Sequence, residues 1–281
     1  MQIFKTTIEL KRFLDSCREN NNQIALVPTM GGLHDGHLKL VDRAKTLADV
    51  VVVSIFVNPT QFARGEDFED YPNTLSSDQK NLESKRVDVL FLPNKEEIYP
   101  GGMKTDYKVG EIGQILCGAF RPSHFDGVAQ VVKRFFEIVG PDYSIFGEKD
   151  YQQLLIIKSL VKNLDLKINI ESVPTQREKD GLAMSTRNQY LSDEDRKKAP
   201  NFYNKLNNLK RSILSSKSAS LSKFETINEL SEEFEVEYLE VLDANNLKQI
   251  KTKTSEIIII SAIRFGGTRL IDNIVFRRTN V

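Results

Sequence analysis

The sequence has little cysteine and no excess of either charge. Its two cysteines, Cys17 and Cys117, lie far apart and in no metal-binding spacing, which argues against a disulfide framework and indicates a reducing compartment. The 39 basic residues equal the 39 acidic ones in number. A balanced charge argues against general binding to nucleic acid or to an anionic membrane, because both usually require a basic excess. Local basic sites for a phosphorylated ligand remain possible.

The sequence also lacks a hydrophobic run near the ~20 residues that a transmembrane helix needs. Its longest apolar run, at residues 49–57, has the length of a strand. Residues 1–5 show none of the basic, apolar and cleavage regions of a signal peptide. We therefore expect a cytoplasmic protein without a membrane partner.

Segments typical of strands and helices alternate through the first 174 residues. The run at residues 50–57 is apolar on both faces, as in a central strand of a parallel sheet. Because such alternation is typical of βαβ units, the sequence predicts an α/β domain over residues 1–174 with a Rossmann-like, doubly wound parallel sheet. The predicted strands lie at residues 24–27, 50–57, 87–92, 143–146 and 167–173, and the predicted helices at residues 8–18, 38–48, 73–85 and 128–139. A fifth predicted helix follows a turn at residues 147–150 and ends at about residue 163.

The sequence pattern changes near Pro174. Residues 201–233 are rich in Lys, Ser, Asn and Glu and are predicted to be helical throughout. Three predicted strands follow at residues 237–242, 255–262 and 268–276. Helices followed by strands indicate a smaller C-terminal α+β domain over residues 175–281. We expect this domain to act as a lid, with a hinge near Pro174.

The most informative stretch runs from Pro28 to His37. It joins a predicted strand to a predicted helix through a glycine-rich turn, where α/β folds bind phosphate. His34 and His37 are three residues apart and project from the same side of the helix start. Because the helix dipole disfavours an imidazolium, neutral histidines that donate hydrogen bonds to phosphate are favoured. The alternative is that Asp35 caps the helix and both histidines are solvated surface residues.

Two further turns also follow predicted strands. Asn58 and Gln61 lie just past the second strand, where neutral amides can bind hydroxyls and a carboxylate. The alternative is a proline turn in which Asn58 bonds its own backbone. Lys149 offers phosphate a mobile cation at the next strand–turn–helix junction. Asp150 and Gln153 face the cleft side of that helix entrance, although they also have the spacing of a capping box.

A fourth loop, at residues 179–188, combines a glycine, two hydroxyls and Arg187. Such a loop can wrap a polyphosphate while Arg187 stabilises charge on a leaving group. The alternative is an ordinary linker before a helix that Ser192 caps. Residues 121–127 precede another helix and could bring Arg121 and His124 to a site, with a cap by Ser123 or Asp126 as the alternative.

Taken in this order and at these intervals, the motifs resemble the pantoate–β-alanine ligase (pantothenate synthetase) family. The likeness covers essentially the whole chain, including residues 268–274, which are similar to the C-terminal strand of the family. The family motifs are Pro-Thr-Met-Gly-x-Leu-His-x-Gly-His at residues 28–37, Phe-Val-Asn-Pro-x-Gln-Phe at 56–62, Phe-Gly-Glu-Lys-Asp-x-Gln-Gln at 146–153 and Lys-Asp-Gly-Leu-Ala-x-Ser-Ser-Arg-Asn at 179–188.

The resemblance implies an ATP-dependent ligase that condenses (R)-pantoate with β-alanine to give pantothenate, a precursor of coenzyme A. The pantoate carboxylate would attack the α-phosphorus of ATP and release pyrophosphate. The amine of β-alanine would then attack pantoyl adenylate and release AMP. A carboxylate is already nucleophilic, so the first step needs charge cancellation and alignment rather than a general base. Mg²⁺ would accompany ATP, held mostly by phosphate oxygens and water and by no dedicated protein metal site.

The resemblance also implies roles for particular residues. Gln61 and Gln153 would bind pantoate, and Gln61 would also bind β-alanine. The implied catalytic residues are His34, His37, Lys149 and Arg187, with His37 as the proton donor. The implied ATP-binding residues are Met30, Gly31, Gly32, Leu33, His34, Asp35, Gly36, His37, Gly147, Glu148, Lys149, Asp150, Gln176, Met184, Ser185, Thr186 and Arg187. A homodimer formed through the N-terminal domain is implied as well.

Four positions depart from the family pattern. Gly32 stands where the family has Ala or Asn, and Thr186 replaces a serine but keeps the hydroxyl. Gln176 replaces a Val or similar residue that contacts adenine. Ser123 replaces a glycine, which weakens the transfer of a phosphate-binding role to Arg121.

Two alternative functions remain open at this point. Another nucleotidylyltransferase of the His-x-Gly-His superfamily would share His34 and His37 but not the pair of Gln61 and Gln153. A non-catalytic ATP-binding protein would have lost phosphate ligands, and the sequence has lost none of them.

Overall fold

The computed structural model describes residues 1–63, 65–103, 107–215 and 218–278. The chain forms two compact units. The first consists of residues 1–148 and 156–174, and the second of residues 149–155 and 175–281. The segment 149–155, which we predicted to be part of the first domain, therefore groups with the second unit. The role of a lid stays a prediction.

A parallel sheet organises the first unit. Among the described residues its strands are β1 (Gln2–Phe4), β2 (Ile24–Thr29), β3 (Val50–Ile55), β4 (Val89–Phe91), β5 (Tyr143–Gly147) and β6 (Asn169–Val173). They are ordered β1-β4-β3-β2-β5-β6, and every pairing is parallel. The predicted Rossmann-like sheet is confirmed. The edge strand β1 was not predicted, because three residues are too few to show a pattern.

Helices accompany these strands along the chain. They are α1 (Thr7–Glu19), α2 (Asp35–Lys45), α3 (Leu75–Ser84), α4 (Lys95–Ile98), α5 (Cys117–Phe120), α6 (His124–Val139) and α7 (Tyr151–Asn163). The apolar side of α6, which includes Val132 and Phe136, is buried as predicted, and each large apolar side chain contributes ~1.5–3 kcal/mol when fully buried. The helix ends where Gly140 adopts a left-handed φ of 53° and its N–H bonds to the Phe136 carbonyl oxygen at 2.8 Å.

The second unit combines helices with an antiparallel sheet. Its described part contains α8 (Asp193–Lys198), α9 (Pro200–Leu214), α10 (Ala219–Ser231), β7 (Glu235–Asp243), β8 (Glu256–Phe265) and β9 (Thr268–Arg277), and the strands are ordered β7-β8-β9. The predicted α+β architecture is confirmed. The prediction that residues 201–233 are helical throughout is wrong, because Ser215 and Ser218 lie outside α9 and α10. The helix breaks after Leu214 because serine side chains bond local backbone there: Ser218 accepts the Leu221 N–H at 3.4 Å and caps α10. Residues 216–217 lie outside the described part.

The strand order brings three turns to one edge of the first sheet. β2 lies between β3 and β5, and Thr29 pairs with Ile55 where β2 and β3 end. β5 ends at Gly147 and runs parallel to both. In open α/β sheets this carboxyl edge is where ligands bind. No helix within the four described ranges is long and apolar enough to cross a membrane.

Candidate active site

Glycine shapes the turn that follows β2. Gly31 and Gly32 have φ of 86° and 65°, in the left-handed region that side chains disfavour. A Cβ on Gly31 would lie 3.1 Å from a methyl of Ile55 and 3.2 Å from the Asp78 Oδ2. The turn therefore passes close to its neighbours, and residues with side chains would strain it.

A buried carboxylate holds this turn in place. Asp78 of α3 is only 1% exposed. Its Oδ2 accepts the Gly32 N–H at 3.0 Å, and its Oδ1 accepts the Leu33 N–H at 2.8 Å. Our sequence analysis missed Asp78. The one available signal was its position four residues before Leu82, on the buried face of α3.

The two histidines bond the first turn of α2 rather than standing free. His34 is the N-cap residue, and its Nδ1 accepts the Gly36 N–H at 3.1 Å. The Nδ1 of His37 accepts the His34 N–H at 3.3 Å, which completes a reciprocal capping box. The alternative in which Asp35 caps the helix is wrong, because Asp35 is already helical and the imidazole of His34 reaches the backbone instead.

This geometry determines where each ring carries its proton. A ring nitrogen that accepts a hydrogen bond has no proton of its own, so both rings are neutral and keep their proton on Nε2. The ring centroids are 4.1 Å apart. His34 and His37 thus present two neutral N–H donors beside the N-terminus of α2, an arrangement suited to an anion.

The turn after β3 orients Gln61. Asn58 is 1% exposed, and its Nδ2 donates to the Gln61 Oε1 at 3.0 Å and to the Gly127 carbonyl oxygen at 3.2 Å. Its Oδ1 accepts the Tyr99 hydroxyl at 2.7 Å and the Thr60 N–H at 3.3 Å. Asn58 therefore caps its own turn, as the alternative prediction held, and in addition fixes the Gln61 amide.

The predicted pantoate residue and the predicted ATP turn meet in the first unit. The Nε2 of Gln61 lies 3.0 Å from the sulfur of Met30. Gly127 of α6 permits this arrangement, since a Cβ there would lie 2.2 Å from the Thr60 carbonyl oxygen. The close approach of α6 to the turn therefore requires glycine at position 127.

A charged network fastens the backbone of Gln61. Arg121 donates from Nε and Nη2 to the two carboxylate oxygens of Glu66, both at 2.6 Å, and from Nη2 to the Gln61 carbonyl oxygen at 3.2 Å. The Nδ1 of His124 lies 2.6 Å from the same carbonyl oxygen. Burial alone would raise the pKa of Glu66, but the hydrogen bonds and charge of Arg121 outweigh it and hold the pKa below its ordinary value.

The alternative in which the side chain of Ser123 or Asp126 caps α6 is wrong. Ser123 occupies the N-cap position with a left-handed φ of 65° and makes no side-chain cap bond. Asp126 instead accepts the Val109 N–H at 2.9 Å and pairs with Lys108 at 2.8 Å. The departure from the family glycine at position 123 thus falls where glycine is the least strained residue.

In the second unit, Lys149 lies beside residues of both signs. Crowding by protein atoms lowers the pKa of Lys149, and the charge of Arg187 also lowers it. The charges of Asp150 and Asp272 raise the pKa of Lys149. Asp150 ends a 3₁₀ turn, Glu148–Asp150, and directly precedes the first residue of α7, which is the position of an N-cap residue. Gln153 lies in the first turn of α7 and is partly exposed.

The loop predicted to close over phosphates is anchored to Gln176. The Met184 N–H donates to the Gln176 carbonyl oxygen at 2.9 Å. Ser185 caps the 3₁₀ turn Thr186–Tyr190, and its Oγ accepts the Arg187 N–H at 3.3 Å. The second unit thereby brings Gln176 and the residues 184–187 together. Ser192 caps α8 as predicted, by accepting the Asp195 N–H at 3.1 Å.

The parallel sheet and the glycine turn at its carboxyl edge define an α/β protein of the Rossmann-like class. The family model described as Pantoate-beta-alanine ligase matches residues 2–275. The pantothenate synthetase of Vesicomyosocius okutanii subsp. Calyptogena okutanii is 51% identical over 276 residues, which cover 98% of each chain. The chain therefore belongs to the pantoate–β-alanine ligase family, and the prediction of a ligase is confirmed.

Solved structures agree with this assignment. The pantothenate synthetase of Thermus thermophilus is 42% identical and superposes with a TM-score of 0.92, covering 98% of this chain and 99% of its own. The pantoate-beta-alanine ligase of Francisella tularensis, complexed with beta-gamma ATP and beta-alanine, is 36% identical with a TM-score of 0.83, covering 100% of this chain and 99% of its own.

Proposed function

We propose that the chain condenses (R)-pantoate with β-alanine to give pantothenate, using ATP and releasing AMP and pyrophosphate through a pantoyl-adenylate intermediate. The observation that carries this proposal is the pair of backbone-bound imidazoles at the start of α2. It supplies neutral donors at a helix N-terminus, which suits phosphate oxygens whose negative charge increases as pyrophosphate leaves. Family membership gives the substrates.

The first step joins the pantoate carboxylate to the α-phosphorus of ATP and breaks the bond to pyrophosphate. His34 and His37 donate from Nε2 to phosphate oxygens, and the turn Met30–Leu33 admits ATP close to its backbone. Lys149 and Arg187 are proposed to supply positive charge to ATP phosphates. Because no proton leaves the carboxylate, stabilising charge and aligning the reactants are the main requirements.

The second step joins the β-alanine nitrogen to the acyl carbon and releases AMP, while the amine loses a proton. Gln61 binds both pantoate and β-alanine, and Gln153 binds pantoate. Because Asn58 donates to the Oε1 of Gln61 at 3.0 Å and one N–H of Nε2 faces the Met30 sulfur, the second N–H of Nε2 is the group proposed to bind a substrate oxygen. The remaining proposed ATP contacts come from the segments Gly147–Asp150 and Met184–Arg187 and from Gln176.

Mg²⁺ belongs to this proposal as the partner of ATP. Within the described ranges no group of three or more His, Cys, Asp or Glu residues could hold a metal ion. Phosphate oxygens and water would therefore supply most of its ligands, as is usual for Mg²⁺ on a nucleotide. A homodimer and a cytoplasmic location complete the proposal.

An AMP-release assay tests the function. The full chain is incubated with ATP, Mg²⁺, (R)-pantoate and β-alanine, and each substrate is omitted in turn. We expect AMP and pantothenate to form in equal amounts only in the complete mixture. If AMP were released without pantoate when a different acceptor molecule was supplied, the chain would be a different nucleotidylyltransferase.

A further inference from the structure

Two neighbouring polar residues of β9 are buried without a role in the proposed reaction. Asp272 is 2% exposed and Asn273 is 5% exposed. Adjacent residues of a strand point to opposite faces, so polar side chains occupy both faces of β9 at this point. Because burial of a polar group is costly unless it is hydrogen-bonded, the partners of these two residues indicate what they are for.

Asn273 bonds the main chain of Lys149. Its Nδ2 donates to the Lys149 carbonyl oxygen at 2.9 Å. Its own N–H donates to the Asp272 Oδ1 at 2.7 Å. Within the second unit, the segment that carries Lys149 is therefore tied to the middle of β9.

Asp272 binds Arg177 through two parallel hydrogen bonds. The Arg177 Nη1 lies 2.6 Å from Oδ2, and Nη2 lies 2.8 Å from Oδ1, a bidentate geometry that favours the ionised carboxylate. Burial raises the pKa of Asp272, and the hydrogen bonds and charge of Arg177 oppose that rise. The guanidinium also stacks on Tyr203 at 3.7 Å from the ring centroid. Arg177 directly follows Gln176, whose carbonyl oxygen anchors Met184. Asp272 thus steadies the segment from which the phosphate loop is held.

The charges around Lys149 come from three elements. Asp150 belongs to its own segment, Arg187 to the turn Thr186–Tyr190 and Asp272 to β9. Arg177 is paired with Asp272. Without the Asp272 charge, Asp150 alone would oppose the lowering of the Lys149 pKa by Arg187 and by the surrounding protein atoms.

We propose that Asp272 and Asn273 are positioning residues for the reaction with ATP. Asn273 fixes the backbone of Lys149, and the carboxylate of Asp272 holds Arg177 and places negative charge beside Lys149. The inference rests on the proposed function, in which Lys149 acts on the phosphates of ATP.

The pH dependence of kcat/KM for ATP tests the role of charge. It is measured on the full chain with saturating pantoate and β-alanine. Asp272→Asn keeps the shape of the side chain and removes its charge, and we expect it to move the alkaline limb to lower pH. Glu240→Gln is the matched control, since Glu240 is a carboxylate of β7 in the same unit, paired with Lys223 at 2.9 Å. It should leave the limb in place. Activity lowered equally at every pH in Asp272→Asn would overturn the inference.

Asn273→Ala tests the hydrogen bond from Asn273 to the Lys149 carbonyl oxygen. It also keeps the inference testable if Asp272→Asn does not fold. It removes the bond to Lys149 and leaves all charges unchanged. We expect the KM for ATP to rise about tenfold or more and the KM for β-alanine to stay as it is. An unchanged KM for ATP would overturn the inference.

Lys149→Ala separates this inference from the proposed function. If it keeps the wild-type kcat/KM for ATP, the proposed role of Lys149 is wrong. If it loses activity while the alkaline limb of Asp272→Asn stays in place, only the positioning role of Asp272 fails.

Discussion

The contact between α6 and the Gln61 turn makes Gly127→Ala a sharp test of how the site is positioned. In an ordinary helix, alanine is better than glycine by ~1 kcal/mol. At position 127 the added Cβ would lie 2.2 Å from the Thr60 carbonyl oxygen and 2.9 Å from the Gln61 nitrogen. Both atoms are backbone and have no rotamer with which to move aside, so the turn itself must shift.

The size of that shift follows from normal contact distances. Non-bonded heavy atoms rest ~3.5 Å apart, and the added Cβ would lie 2.2 Å from the Thr60 carbonyl oxygen, so the turn must move by about 1.3 Å. Overpacking of this kind costs ~1–3 kcal/mol of stability. A displacement of about 1 Å in a binding residue costs up to ~100-fold in rate. We therefore expect Gly127→Ala to lower kcat/KM for pantoate by about 100-fold, roughly 2.7 kcal/mol of transition-state stabilisation.

Steady-state AMP release at varied pantoate, with Tm by thermal unfolding, measures both effects. The KM for ATP should change little, because the turn carries Gln61 and not the histidines. Gly101→Ala is the matched control, since its Cβ would meet nothing within 4 Å. A Gly127→Ala variant that is more stable than wild type and keeps its pantoate kinetics would refute the claim that this contact positions Gln61.

Three further predictions concern other parts of the first unit. His37→Ala should lower kcat at least about 100-fold, roughly 3 kcal/mol, and unchanged turnover in AMP release would mean that the imidazole is only a cap. Ser123→Gly relieves a left-handed φ of 65° and should raise the free energy of unfolding in urea by about 0.5–1 kcal/mol; a loss of stability would contradict the strain. Because the pKa of Glu66 is lowered in the folded chain, its ion pair with Arg121 stabilises above the ordinary carboxyl pKa of ~4.3 and is lost as pH falls through the folded value. Glu66→Gln should therefore cost about 2 kcal/mol at pH 7 and progressively less in acid, and a difference independent of pH would disprove this linkage.

The sheet and the main loops could be predicted because their information is local. Strands buried on both faces, such as β3, are continuous apolar runs. Gly31, His34 and His37 directly follow another such strand, β2, so the sequence shows where the turn begins. Elements of about one turn, such as α4 and α5, were missed since four residues show no helical period.

Partners distant in sequence could not be predicted. Asp78 bonds Gly32 across 46 residues, and Arg121 bonds Glu66 across 55. Both contacts depend on how separate elements pack, and no spacing along the chain encodes them. The alternative that made Asp35 the cap of α2 was wrong for another reason. The accepting atom belongs to a histidine, His34, and not to the usual Ser, Thr, Asp or Asn.

The buried carboxylate of Asp78 bears on how far the phosphate turn can be transplanted. Two of the turn's N–H groups bond α3, and their partner lies 45 and 46 residues away in sequence. Grafted alone onto another α/β scaffold, the segment 28–37 would leave these donors without a carboxylate, and the turn would be free to relax. The smallest unit that can be moved is therefore discontinuous: the strand end, the turn, the helix start and the turn of α3 that contains Asp78.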